Sequence, residues 1–225
     1  MLTVIIPVYN EERTLAQVVR SVEEVDLPLE ILVVDDASTD STPRIIREME
    51  DAGRIRAFRL ERNRGKGAAV RRGIDEARGE ICVIQDADLE YQPRDFPELV
   101  RPLTELGADA AYGSRFLGPH RVFLYWHYTA NRVLTWLTNV LFDTMLTDME
   151  TGYKAVRTEL LRDMVLRSDS FDIEPEITAK LFKRRCKVFE VPITYNGRTY
   201  AEGKKITATD ALRALVALVR FRFTD

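Results

Sequence analysis

Short apolar runs at residues 4–6, 31–34, 55–60, 81–84 and 110–112 alternate with helix-like stretches at 11–24, 41–50, 67–77 and 95–106. Nothing else in the chain constrains its fold as tightly. The runs at 4–6, 31–34 and 81–84 are apolar at every position rather than every second one, which suits strands covered on both faces. Strands alternating with helices at this spacing imply an α/β fold, with a mostly parallel central sheet and helices on both faces. Right-handed crossovers then gather the carboxyl ends of the strands along one edge, where open α/β sheets bind ligands.

That edge is where the acids fall. Tyr9-Asn10-Glu11 follows the first run, Asp35-Asp36 ends the second and Asp86-Ala87-Asp88 follows the fourth. In an extended backbone, side chains two apart point to the same side, so Asp86 and Asp88 are expected to face one crevice together. Paired carboxylates repel unless one is protonated or a cation lies between them. Mg²⁺ suits such a pair because it binds through one or two carboxylates plus ligand phosphates. His120 and His127 are the only histidines, and Cys82 and Cys186 form no CxxC pair, so a soft-metal site is not expected. Both thiols read as reduced and buried. Arg62-Asn-Arg-Gly65-Lys66-Gly67 opens a helix and suits an anion by its position, although neither P-loop nor dinucleotide-fold glycine spacing is present.

The second half differs. Residues 122–146 form a long aromatic-rich helical stretch, with Phe123, Tyr125, Trp126 and Tyr128 close to His127 and Arg132. Val133, Trp136, Leu137, Val140 and Leu141 follow helical spacing, as a core face does. A strand is expected at 151–156, a helix at 171–183, a strand at 188–191 and a polar loop at 195–205. A final helix at 207–223 opens on a capping-box-like Thr207 and Asp210. One domain over 1–225, with a specialised second half, accounts for this. With 33 basic against 36 acidic residues, the net charge of −3 gives no global field for nucleic acid. No basic leader precedes the first strand, and no stretch reaches the roughly 18 apolar residues a spanning helix needs. A cytoplasmic protein is expected. Aromatic and basic residues side by side at 122–146, and again at the last helix, also suit peripheral docking on a membrane surface.

These residues in this order resemble the family 2 inverting glycosyltransferases of the GT-A fold. The resemblance rests on Ile6-Pro-Val-Tyr-Asn-Glu11, Val34-Asp-Asp-Ala-Ser-Thr-Asp40, Asn63-Arg-Gly-Lys-Gly67, Asp86-Ala-Asp-Leu89, Gly113-Ser-Arg115 and Asp148-Met-Glu-Thr-Gly-Tyr153. The group it is most similar to is the dolichyl- or polyprenyl-phosphate sugar synthases. The resemblance implies a nucleotide-diphosphate sugar donor and a lipid-phosphate acceptor. Pro7, Tyr9, Glu11 and Asp36 would bind the nucleoside, with Asp35 close by. Asp86 and Asp88 would coordinate Mg²⁺ or Mn²⁺ on the diphosphate, with Glu90 completing the metal shell. Lys66 would add charge, Arg115 would grip an acceptor phosphate, and Arg198 and Lys204 would close over the donor. Trp126-His127-Tyr128 and Asn131-Arg132 stand where those synthases tend to carry an arginine and a serine.

The expected reaction is a single displacement at the anomeric carbon, with Asp88 at the metal. A hydroxyl acceptor needs a general base, for which Asp148 is the candidate and Glu174 or Glu176 the reserve. A phosphate acceptor is already an oxyanion and needs only positioning by Arg115. Two other readings stay open at this point: the same donor chemistry directed to a soluble or glycan hydroxyl, and a non-catalytic nucleotide-sugar-binding module.

Overall fold

The computed structural model describes residues 1–122, 124–198 and 208–224, with the side chains of 208–210 left out. Lys204, Lys205, Phe123 and the Thr207 and Asp210 cap therefore lie outside the described residues. Among the described residues there are seven strands: β1 (Leu2–Val8), β2 (Leu29–Asp35), β3 (Arg56–Arg59), β4 (Ile81–Ile84), β5 (Ala110–Ser114), β6 (Lys154–Arg157) and β7 (Val188–Pro192). They form one sheet in the order β3-β2-β1-β4-β6-β5-β7. The helices are α1 (Leu15–Glu23), α2 (Thr42–Asp51), α3 (Lys66–Glu76), α4 (Phe96–Glu105), α5 (Tyr125–Phe142), α6 (Thr158–Asp163), α7 (Ile173–Lys183) and α8 (Ala208–Phe223).

Period-2 alternation divides the core. Leu2, Val4, Ile6 and Val8 of β1, with Ile81 and Val83 of β4, pack into one layer beside α1 and α4. Ile5, Cys82 and Ile84 face the other layer, which includes residues of α3, α5, α6, α7 and α8. Burial on both faces explains why these runs are apolar throughout.

β6 departs from the parallel pattern. It pairs antiparallel with both β4 and β5, whereas β5 pairs parallel with β7. The carboxyl ends of β1, β2, β4, β5 and β7 therefore share one edge with the amino end of β6. A segment reaching the sheet from that edge must start its strand there and run the opposite way. The loop before β6 thus contributes side chains to the same crevice as the acids after β4.

Two helices differ from expectation. α5 buries Leu134, Thr135 and Thr138, while Val133, Trp136 and Val140 point outward. The apolar periodicity there marks a surface face as well as a core one. On α8, Leu212, Val216, Val219 and Phe223 are likewise exposed at helical spacing, with Ala214, Ala217, Leu218 and Phe221 inside. Among the described residues no helix is long and apolar enough to cross a membrane. The helix at 41–50 begins at Thr42, and Asp40 rather than Ser41 supplies its cap, accepting from the Thr42 amide at 2.9 Å. Cys82 is buried and Cys186 only half-buried, both as free thiols.

Candidate active site

A cleft of about 680 Å³ lies along the ligand edge. Pro7, Tyr9, Glu11, Asp36, Lys66, Asp86, Asp88, Glu90, Arg115 and Arg198 all line it. The three acidic clusters read from sequence do meet in one crevice.

The two acids of the second cluster divide the work. Asp36 takes the amides of Arg64 and Gly65 on its two oxygens, at 2.8 and 2.7 Å, and so fixes the loop that enters α3. Asp35 does not reach the cleft. It is buried behind the wall, accepting from the Ser38 amide at 2.9 Å and Arg59 at 2.6 Å. The glycines of the α3 entry serve close packing. A Cβ on Gly65 would lie 2.4 Å from the Asp169 carbonyl oxygen, and one on Gly67 would lie 2.4 Å from that of Ser168. Gly65 also has φ +103°, outside the range an L-residue adopts easily. This contact draws the segment before α7 against the cleft, where Ser170, Phe171 and Glu174 join its lining.

β4 ends at Ile84, so residues 86–90 form a turn rather than the extended segment expected from sequence. Leu89 sits at φ 64°, a conformation costly for a non-glycine residue, and the Glu90 amide donates to Asp88 at 3.1 Å. Asp86 and Asp88 remain electrostatic neighbours. Burial, then repulsion from Asp86 and Glu90, pushes the Asp88 carboxyl up to about 7. Cations already meet this charge: Lys66 lies 2.7 Å from Asp86, and Arg198 lies 2.7 Å from Asp88 and 3.1 Å from Glu90.

Glu90 anchors the late loop. It accepts from the Tyr195 hydroxyl and from the Arg198 amide at 2.9 Å, and its carbonyl takes the Asn196 amide. Among the described residues, no three His, Cys, Asp or Glu side chains converge as a ready metal shell. Asp86 and Asp88 offer hard oxygen donors of the kind a divalent ion takes together with a ligand's phosphates.

Arg115, directly after β5, is clamped by Asp148. Its amide, Nε and Nη2 reach Asp148 at 2.9, 2.7 and 2.7 Å, and Asp148 is fully buried behind the cleft wall. With both oxygens committed to a guanidinium and no exposure, Asp148 positions Arg115; it is not placed to accept a proton from a ligand in the cleft. The Arg115 guanidinium also lies 5.3 Å from the Tyr195 ring centroid. Of the reserve bases, Glu176 caps the Arg167 and Ser168 amides at 2.9 and 2.7 Å and is buried. Glu174 does line the cleft.

Sequence reasoning missed three participants. Lys154 is buried and donates to Glu174 at 2.7 Å and to the Met149 carbonyl at 3.0 Å, as well as to that of Thr151. Tyr91 stacks on Tyr153 at 4.5 Å and accepts the Gly152 amide at 2.8 Å. Glu150 lines the cleft with one buried oxygen lacking any hydrogen-bond partner, and burial pushes its carboxyl up to about 7. The available signal was Asp148-Met-Glu150-Thr-Gly152, an acidic segment just before a strand. Its value depended on the direction of β6.

The sheet order and the acids along its ligand edge match a GT-A fold. The family description "Glycosyl transferase family 2" matches residues 3–165. The chain belongs to glycosyl transferase family 2. It is 28% identical to an uncharacterized protein of Methanocaldococcus jannaschii over 98% of this chain and 99% of that one. It is 30% identical to a dolichol-phosphate mannosyltransferase of Pyrococcus furiosus, over 90% of this chain but only 58% of that protein. In fold it is similar to glucosyl-3-phosphoglycerate synthase from Mycobacterium tuberculosis, crystallised with Mn²⁺, uridine diphosphate and phosphoglyceric acid. That likeness has a TM-score of 0.77 at 22% identity, covering 100% of this chain and 79% of the other.

Proposed function

We propose that the chain transfers a hexose, with inversion, from a nucleotide-diphosphate sugar of the GDP-mannose or UDP-glucose type to a polyprenyl or dolichyl phosphate. The observation that carries this reading is the clamped Arg115 in a cleft whose lining combines acids with apolar side chains. The lining also includes Val122, Leu124, Trp126 and Leu134, side chains suited to a hydrocarbon chain attached to a phosphate. The acceptor in the name of the Pyrococcus relative carries a phosphate, as does the acid bound to the mycobacterial synthase. A fixed guanidinium fits either.

In this reading residues 1–115 hold the donor and 116–225 the acceptor. Pro7, Tyr9, Glu11 and Asp36 line the nucleoside end. Asp86 and Asp88 hold Mg²⁺ or Mn²⁺, which when bound supplies Lewis-acid charge to the diphosphate. Lys66 and Arg198 add fixed positive charge, Lys66 on the donor side and Arg198 from the late loop that includes Lys204. The bond between the anomeric carbon and the diphosphate oxygen breaks, and its electron pair leaves with the nucleotide. An acceptor phosphate oxygen, held by Arg115, forms the new bond from the opposite face. That oxygen carries no proton to remove, so a buried Asp148 is no obstacle. Exposed apolar faces of α5 and α8, with Arg220 and Arg222 beside them, support peripheral docking on the cytoplasmic face of a membrane.

A soluble phosphate acceptor is the second reading, favoured by the phosphoglyceric acid of the structural neighbour. Labelled UDP-glucose and GDP-mannose, offered with lipid-embedded polyprenyl phosphate or with 3-phosphoglycerate and Mg²⁺ or Mn²⁺, separate the two. Label in the lipid phase supports the proposal. Label only on phosphoglycerate replaces it with the soluble reading, and neither nucleotide binding with metal present removes the donor assignment itself.

A further inference from the structure

The cleft carries two acids that the transfer reaction does not use. Glu150 Oε1 is buried, faces no hydrogen-bond donor and belongs to a residue lining the cleft. Glu174 is 4% exposed, lines the same cleft, and its Oε1 also accepts no hydrogen bond, with Lys66 Nζ 3.3 Å away. A buried acceptor left without a donor costs about 1–3 kcal/mol in ordinary cores, so such atoms mark places that expect a partner.

Both acids are tied to Asp86. The Lys66 ammonium touches Asp86 and Glu174 together, at 2.7 and 3.3 Å. Lys154 joins the other side: it binds Glu174 Oε2 and the carbonyls of Met149 and Thr151, the residues on either side of Glu150. Gly152 lies so close to Asp86 that a Cβ there would be 2.8 Å from its Oδ2. Glu150 therefore sits on the turn that packs against Asp86, and Glu174 is joined to that same acid through the Lys66 ammonium. In the proposed donor reading, a group bonded to the far phosphate of the nucleotide enters this space.

We infer that Glu150, with Glu174 opposite Lys66, is the floor of the subsite for the transferred sugar and selects a neutral, hydroxyl-bearing hexosyl group over one carrying a carboxylate. This inference rests on the proposed donor reading and adds the sugar class to it. Sugar hydroxyls donate to the two open carboxyl oxygens. A uronosyl carboxylate would instead offer these two acceptor oxygens no donor and set like charge against them. A site built to meet a hydroxyl discriminates through the groups left unpaired when the wrong ligand enters.

Calorimetry with Mn²⁺ tests it, using UDP, UDP-glucose and UDP-glucuronate, and in parallel GDP, GDP-mannose and GDP-mannuronate. The wild type is expected to bind the hexose conjugate at least about tenfold more tightly than the uronate, a difference equal to one charge-assisted hydrogen bond. Glu150→Ala is expected to lose about tenfold for the hexose conjugate while binding the bare nucleoside diphosphate as the wild type does, which also shows that it folds. Glu150→Gln, which keeps an acceptor and removes the charge, is expected to retain the hexose and narrow the discrimination against the uronate. Bare nucleotide binding with no change in hexose or uronate affinity in either variant overturns the inference and leaves the donor reading intact. Failure of both nucleoside diphosphates to bind the wild type overturns the donor reading and the inference with it.

Discussion

Replacing Asp148 by Asn should unfold the protein more readily and weaken acceptor binding, without removing a catalytic base. The magnitude follows from the geometry. Asp148 receives three donors from one residue, the Arg115 amide, Nε and Nη2, all within 2.9 Å, and neither partner is appreciably exposed. Asparagine keeps one carbonyl oxygen for the amide and Nε, but turns an NH₂ group toward either Nη2 or that pair. The buried guanidinium then has no countercharge, and breaking such a pair from one side costs about 3–5 kcal/mol. A domain of this size is expected to have about 5–15 kcal/mol in all. At about 2–4 °C per kcal/mol, the midpoint of thermal unfolding should fall by about 6–20 °C. Urea unfolding measures the free energy. Steady-state transfer to a phosphate acceptor measures the rest: the acceptor KM should rise because Arg115 loses its support, while nucleotide affinity holds. A variant within about 1 kcal/mol of wild-type stability that loses kcat alone, with a flattened pH–rate profile, would refute the argument and restore Asp148 as the base.

Three further outcomes are expected. Because burial raises the folded Glu150 carboxyl from 4.5 to about 7, its protonated form favours folding; that stability is complete below about 4.5 and drains away as pH climbs through about 7. Glu150→Gln should therefore be more stable than wild type by about 2–3 kcal/mol at pH 8 and nearly equal to it at pH 4.5, by urea unfolding; equal effects at both pH values would contradict the burial argument. Gly65→Ala forces a Cβ onto the Asp169 carbonyl at positive φ and should cost about 1–3 kcal/mol, with nucleotide affinity falling as the α3 entry shifts; unchanged unfolding would mean that the contact is slack. In Asp88→Asn, or with EDTA added to wild type, calorimetric binding of UDP or GDP should drop at least about tenfold; metal-independent binding would leave charge neutralisation to Lys66 and Arg198 alone.

Much of this site is legible in the amino-acid sequence because buried parallel strands advertise themselves. Val4, Ile5 and Ile6 have core on both sides, and so do Ile81 to Ile84, so each run is apolar throughout and its polar end marks the ligand edge. The acidic clusters Asp35-Asp36 and Asp86-Ala87-Asp88 follow directly. Sequence could not separate Asp35 from Asp36, since which neighbour faces the cleft depends on where β2 stops. Nor could it find Lys154, because a buried lysine looks like a solvated one until Glu174 is brought beside it from 20 residues away. The short α6 carries too few turns to show periodicity. The direction of β6 is a long-range property: four residues, Lys154 to Arg157, hold no local sign of whether a strand runs up or down.

The antiparallel β6 also sets an order of assembly. β3, β2, β1 and β4 can pair among themselves, each crossover being closed by a nearby helix. β5 and β7 form a separate pair, and only β6 joins the two. Until residue 157 has emerged from the ribosome, β4 keeps an open, wholly apolar edge and the carboxylates beyond it have no opposite wall. Such an edge is a template for pairing with another chain. Chain lengths ending between β4 and β6 should therefore be the stage at which synthesis most needs a chaperone, and the crevice gains its remaining walls, Glu174 and Arg198 among them, only from segments made after β6.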